Sequence, residues 1–201
     1  LAATYVLALA FAQARGTVTA AEFKKLTAEL ATLPDKIEKL LEHKERIQWF
    51  ASKRANMEHA FFIGRGLDYA AGLEGSLKMK EISYIHSEAY PAGELKHGTI
   101  SLIEEDTLVV GLLTQQALYE KTLSNLLECK SRGAYLMALT MEGNYSIEDS
   151  ADFVIYIPKT DSHFAPSLAV IPLQLLGYYL SVSKGLDVDK PRNLAKSVTV
   201  E

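Results

Sequence analysis

The chain has a single cysteine, Cys129, among 201 residues, so it cannot close an internal disulfide, and that fits a reducing, cytoplasmic compartment. It has no excess of basic charge: 21 Lys and Arg stand against 25 Asp and Glu, a formal net charge of −4. A general affinity for nucleic acid or for an anionic membrane is therefore not indicated. Its five histidines and one cysteine show no zinc-type spacing, so no metal is expected. Internal repeats and low-complexity segments are absent. The apolar opening, LAATYVLALAFAQA, has no initiator Met and no basic residues ahead of it. It stops well short of the ~20 residues that span a bilayer. A helix that is apolar nearly all round from residue 1 is expected of a chain cut from a longer protein.

What is present is an ordinary globular composition, 48% hydrophobic and 23% charged. The length suits one domain with a sizeable core. Residues 1–14 read as a first helix, closed by Arg15-Gly16. Thr19 and Glu22 make a capping box for a second helix running to about Thr32. Pro34 opens a third, amphipathic helix with a possible break near His43, on which Trp49 is expected to anchor the core.

From Ala60 the pattern changes to alternating strand and helix. Apolar runs at 60–63, 87–90, 107–113, 135–140 and 153–157 read as strands, and helical patterns fill 67–84, 115–132 and 165–184. Four of the runs are nearly continuous, as parallel strands covered on both faces require. The expected fold is a doubly wound α/β sheet of five parallel strands behind an N-terminal helical segment.

Chemistry concentrates between 60 and 98. Glu74, Lys78 and Glu81 stand four and three residues apart and share one helix face. His97 follows in the turn PAGELKHG, beside Lys96, a neighbour that disfavours the charged imidazole. Two carboxylates, an amine and an imidazole are the inventory of a proton-transfer site. Glu81 falls roughly 20 Å along the helix from its start, so its pocket is expected to differ from the Gly64-Arg65-Gly66 turn. That turn reads equally as an anion cradle or as close strand-helix packing. The C-terminal segment LDVDKPRNLAKSVTVE, with Arg192 and Lys196 around Leu194, is expected to dock rather than to trail.

At GRGLDYAAGLEGSLKMKEISYIHSEAYPAGELKHG and PLQLLGYYLSVSKGLDVDKPRNLAKSVTVE the chain resembles the second sugar isomerase (SIS) domain of the glutamine:fructose-6-phosphate aminotransferases (isomerizing), the glucosamine-6-phosphate synthases. The resemblance covers the chain from about Ala60. It implies that ammonia from glutamine reacts at C2 of fructose 6-phosphate and that the imine isomerises to glucosamine 6-phosphate, with no cofactor. It implies that Glu81 moves the proton between C1 and C2, that Lys78 supports it, and that His97 assists ring opening in the neighbouring subunit of a homodimer. It also implies that Lys196 forms a Schiff base with the keto group, with Arg192, Glu74 and Ala195 nearby. Residues 1–58 then correspond to a linker from a first SIS domain, 59–185 to the second SIS domain, and 186–201 to a tail docking at the active site. The family's glutaminase domain and its first SIS domain, which holds the sugar phosphate, are not represented, so weak activity at most is expected of this chain alone. A non-catalytic phosphosugar-binding module and a dimerisation module remain open as alternatives.

Overall fold

A computed structural model describes residues 1–194. Four helices come first: α1 (Ala2–Ala14), α2 (Ala20–Ala31), α3 (Leu33–Leu41) and α4 (Lys44–Arg54). The Thr19 hydroxyl accepts from the Glu22 amide at 3.2 Å, and the Glu22 carboxylate accepts from the Thr19 amide at 2.9 Å, completing the expected capping box. The break near His43 divides the amphipathic stretch into α3 and α4, so four helices, not three, precede the sheet.

Trp49 corrects an expectation. It is 56% exposed, and its neighbour Phe50 fills the core at 1%, stacked on Phe153 with ring centroids 4.4 Å apart. One step along a helix turns a side chain by about 100°, so only one of two adjacent aromatics faces inward. Burying Phe50 contributes roughly 1.5–3 kcal/mol by area.

The five strands are β1 (His59–Gly64), β2 (His86–Pro91), β3 (Leu108–Leu113), β4 (Tyr135–Met141) and β5 (Phe153–Ile157). All pairings are parallel, in the order β2-β1-β3-β4-β5. Because successive strand residues point to opposite faces, Phe62, Val110 and Leu112 join one buried cluster while Phe61, Ile63 and Val109 join the other. Helices α5 (Leu67–Lys78) and α7 (Ala165–Ser183), with α3 and α4, cover the first face; α6 (Tyr119–Lys130) covers the second. This three-layer sheet is the expected fold. By length and composition α7 is apolar enough to cross a membrane, yet Leu168, Leu173, Leu176 and Leu180 are buried in the first cluster and make it a core helix.

Candidate active site

Two tight approaches fix α5. At Gly64 a methyl group would lie 2.7–2.8 Å from the backbone of Asp68 and Tyr69, so glycine lets the end of β1 sit directly on the first turn of α5. At Gly75 an added methyl would meet Leu173 at 2.8 Å and Phe62 at 3.0 Å, so α5 is wedged between sheet and α7. A parallel crossover must carry the chain back to the edge where the next strand starts. The far end of α5 therefore lies at the amino edge of the sheet, next to the beginning of β2.

There the helix departs from the expected regular run to Tyr84. Met79–Ser83 widens into a π turn, closed by Tyr84 in the left-handed conformation at φ 57°. The Ser83 hydroxyl donates to the Met79 carbonyl at 2.7 Å across this turn. Helix α7 meets the same segment through Gly177, where an added methyl would touch Lys78 and Ile82 at ordinary contact distance, 3.5–3.6 Å. Such bulges are frequent at functional sites.

Glu81 lies on this turn. Lys78 Nζ donates to Glu81 Oε2 at 2.6 Å and stands 3.8 Å from Glu74 Oε1, so the three residues chosen from their spacing do converge. The bond to Glu81 is the largest influence on Lys78 and raises its pKa; desolvation opposes this, and the charges of Glu81 and Glu74 add to the rise. Lys78 is thereby held as an ammonium ion, a fixed positive charge beside a carboxylate.

The chain returns to this place from far downstream. A cleft of about 510 Å³ is lined by Leu77, Lys80, Glu81 and Tyr84 on one side and by Arg192, Asn193 and Leu194 on the other. The Arg192 amide donates to the Tyr84 hydroxyl at 2.7 Å, and the Arg192 guanidinium lies 4.1 Å from the centre of the Tyr84 ring. Arg192 thus meets the Glu81 turn. Ala195 and Lys196 lie outside the described residues.

His97 does not join them. It is exposed, in a 3-10 turn at Leu95–His97 beyond the carboxyl end of β2, whereas Glu81 precedes the amino end of that strand. Six strand residues separate the two positions by about 20 Å along the sheet.

The Gly64-Arg65-Gly66 turn is filled by the protein itself. Arg65 donates to Asn125 Oδ1 at 2.8 Å and lies under Gly93, where an added methyl would come within 2.9 Å of its guanidinium. Asp68, buried in the first turn of α5, accepts from the Thr114 amide at 2.8 Å, from the Gln115 amide at 3.1 Å and from the Thr114 hydroxyl. Burial raises the pKa of Asp68, and these bonds pull it back. In the order β2-β1-β3, the crevice between the carboxyl ends of β1 and β3 is where open α/β sheets gather ligands. Here the Asp68 carboxylate takes the two amides that follow β3. The close approach at Gly64 is what the packing reading of the turn expects. Neither Asp68 nor Tyr84 was singled out from the sequence; an acid in the first helical turn after a strand was the available signal for Asp68.

The SIS domain family matches residues 55–184. The chain belongs to the SIS domain family. Among curated relatives, proteins named glutamine–fructose-6-phosphate aminotransferase (isomerizing) from Caldanaerobacter subterraneus subsp. tengcongensis and from Clostridium tetani are each 58% identical over 201 residues. Each comparison covers all of this chain and 33% of the relative, so the chain spans about a third of the length of the curated relatives it matches. A solved structure, the C-terminal domain of glucosamine-fructose-6-phosphate aminotransferase from Francisella tularensis, superposes with a TM-score of 0.86 at 35% identity. It covers 92% of this chain and 52% of that one. The SIS fold and its kinship with these aminotransferases are therefore established for the chain.

Proposed function

We propose that the chain is the proton-transfer part of an isomerizing glutamine–fructose-6-phosphate aminotransferase. The observation that carries this is the Lys78–Glu81 pair, 2.6 Å apart on a π turn that faces the segment bearing Arg192. Identity to aminotransferases over the full chain supports the same reading.

In this reading the Lys196 amine condenses with the keto carbonyl of the open-chain ketose at C2 with loss of water, and ammonia then displaces that amine to leave the C2 imine. The Glu81 carboxylate takes a proton from C1 and returns it to C2. The nitrogen gains a proton as the C1 hydroxyl loses one, leaving an aldehyde at C1 and an amine at C2. A proton next to an imine is acidic enough for a positioned carboxylate. Lys78, fixed as a cation, stabilises the carboxylate and the charge that develops beside it. Lys196 is the amine assigned to the keto carbonyl, with Arg192, Ala195 and Glu74 as binding neighbours. Residues 1–58 serve as linker, 59–185 as the second SIS domain and 186–201 as the docking tail.

That the chain spans about a third of its relatives supports assigning the phosphate anchor to another part of the full-length protein, and so weak activity at most for this chain alone. In the full-length protein, Glu81→Gln should lower glucosamine 6-phosphate formation by at least 10²-fold while glutamine hydrolysis continues. Unchanged amino-sugar formation would favour a non-catalytic phosphosugar module instead.

The position of His97, on the opposite sheet edge from Glu81, favours a second element of the reading: a homodimer in which His97 serves the partner's site.

A further inference from the structure

Tyr84 is a bulky residue in the left-handed region, where such side chains are rarely found without a reason. That conformation ends the π turn and turns the phenol away from the helix toward the returning chain. Two independent contacts meet on it: the Arg192 amide donates to the hydroxyl at 2.7 Å, and the Arg192 guanidinium lies over the ring at 4.1 Å. The hydroxyl holds the backbone and the ring holds the side chain. One residue thus holds both the backbone and the side chain of Arg192. Tyr84 is three residues past Glu81 and lines the same cleft.

Chain geometry gives the consequence. Lys196 is four residues beyond Arg192, so a fixed Arg192 confines the Lys196 Cα to within about 14 Å whatever path the chain takes. An untethered tail explores a far larger volume, and its amine meets the sugar less often.

Resting on the function proposed above, we infer that Tyr84 is a positioning residue: it moors the C-terminal segment at Arg192 and so sets the local concentration of the tail amine at the Glu81 turn. It contacts neither reacting carbon. Its effect passes through Arg192.

The test compares wild type, Tyr84→Phe and Tyr84→Leu in the full-length protein. Amide hydrogen exchange is followed at 186–194 without substrate, together with the steady-state kinetics of amino-sugar formation. Phe keeps the ring over the guanidinium and loses the acceptor; Leu loses both. Exchange at 186–194 should quicken about threefold in Tyr84→Phe and about tenfold or more in Tyr84→Leu, with β1 and β3 amides unchanged. The kcat for amino-sugar formation should fall in the same order, while glutamine hydrolysis is unaffected. Wild-type exchange at 186–194 in Tyr84→Leu would overturn the tether. A freed tail with undiminished kcat would overturn the positioning role. If wild type makes no amino sugar, the proposed function fails, and the exchange data still decide whether Tyr84 moors the tail.

Discussion

Asp68 and Lys78 are charged groups at opposite ends of α5, and their surroundings shift them for different reasons. Lys78 gains a partner, so its folded-state pKa lies above the unfolded value of 10.5. The stabilisation is fully present below that value and is lost only as pH rises through the folded one, so it holds across the neutral range. Asp68 loses water, and its folded-state pKa lies above the unfolded value of 3.8. The fold therefore binds the Asp68 proton more tightly than the unfolded chain does. Stability from this group falls as pH rises from below the unfolded pKa through the folded one, and then levels off. An asparagine there has no such slope; its one oxygen can take the two amides, which share a single carboxylate oxygen, and it loses the acceptor for the Thr114 hydroxyl. Urea unfolding of wild type and Asp68→Asn should show the variant less stable by ~1–3 kcal/mol, with a gap widest in acid and narrowing toward neutrality. Charges common to both proteins cancel in the difference, so a gap that widens with pH would contradict the account. The Glu74, Lys78 and Glu81 grouping was legible because helical spacing alone puts these residues on one face. Tyr84 was not legible, because its role depends on a segment more than a hundred residues away.

At the scale of elements, the strands, the capped second helix and the break at His43 followed from local signals. The π turn did not. Met79–Ser83 has no proline or glycine to mark it, and the widening occurs where Gly177 of α7 packs against Lys78 and Ile82. Trp49 and Phe50 were indistinguishable for a similar reason: which of the two is buried depends on the tertiary packing of α4, where Phe50 meets Phe153 and Tyr135. The glycines in α5 and against it can be ranked from their surroundings. At Gly64 the groups in the way are backbone and cannot step aside, whereas at Gly72 the nearest neighbour is a side chain at an ordinary 3.6 Å. Gly64→Ala should lower stability by about 1–3 kcal/mol, and so the midpoint of thermal unfolding by several degrees. Gly72→Ala should be neutral or stabilising, since alanine gains up to about 1 kcal/mol over glycine inside a helix. Calorimetry of the pair checks this, and equal losses would contradict the packing described.

At the scale of the molecule, one chain does not bring its chemistry to one place. Glu81, Lys78 and Arg192 meet at the amino edge of β2, while His97 sits past the carboxyl edge of the same strand. Two-fold pairing is the commonest way for two such edges to meet across an interface. Spacing and composition make the site residues legible only as a set; the assignment of His97 to a neighbouring subunit is implied by the family resemblance alone, and the direction of β2 separates His97 from Glu81 within one chain. The most direct measurement of the central claim mixes full-length Glu81→Gln and His97→Ala proteins, each inactive in amino-sugar formation, after subunit exchange has been verified by mass. Random pairing makes half the dimers mixed, and each mixed dimer has one site with an intact Glu81 and an intact partner His97. The account predicts recovery to about a quarter of wild-type activity. No recovery after confirmed exchange would contradict it.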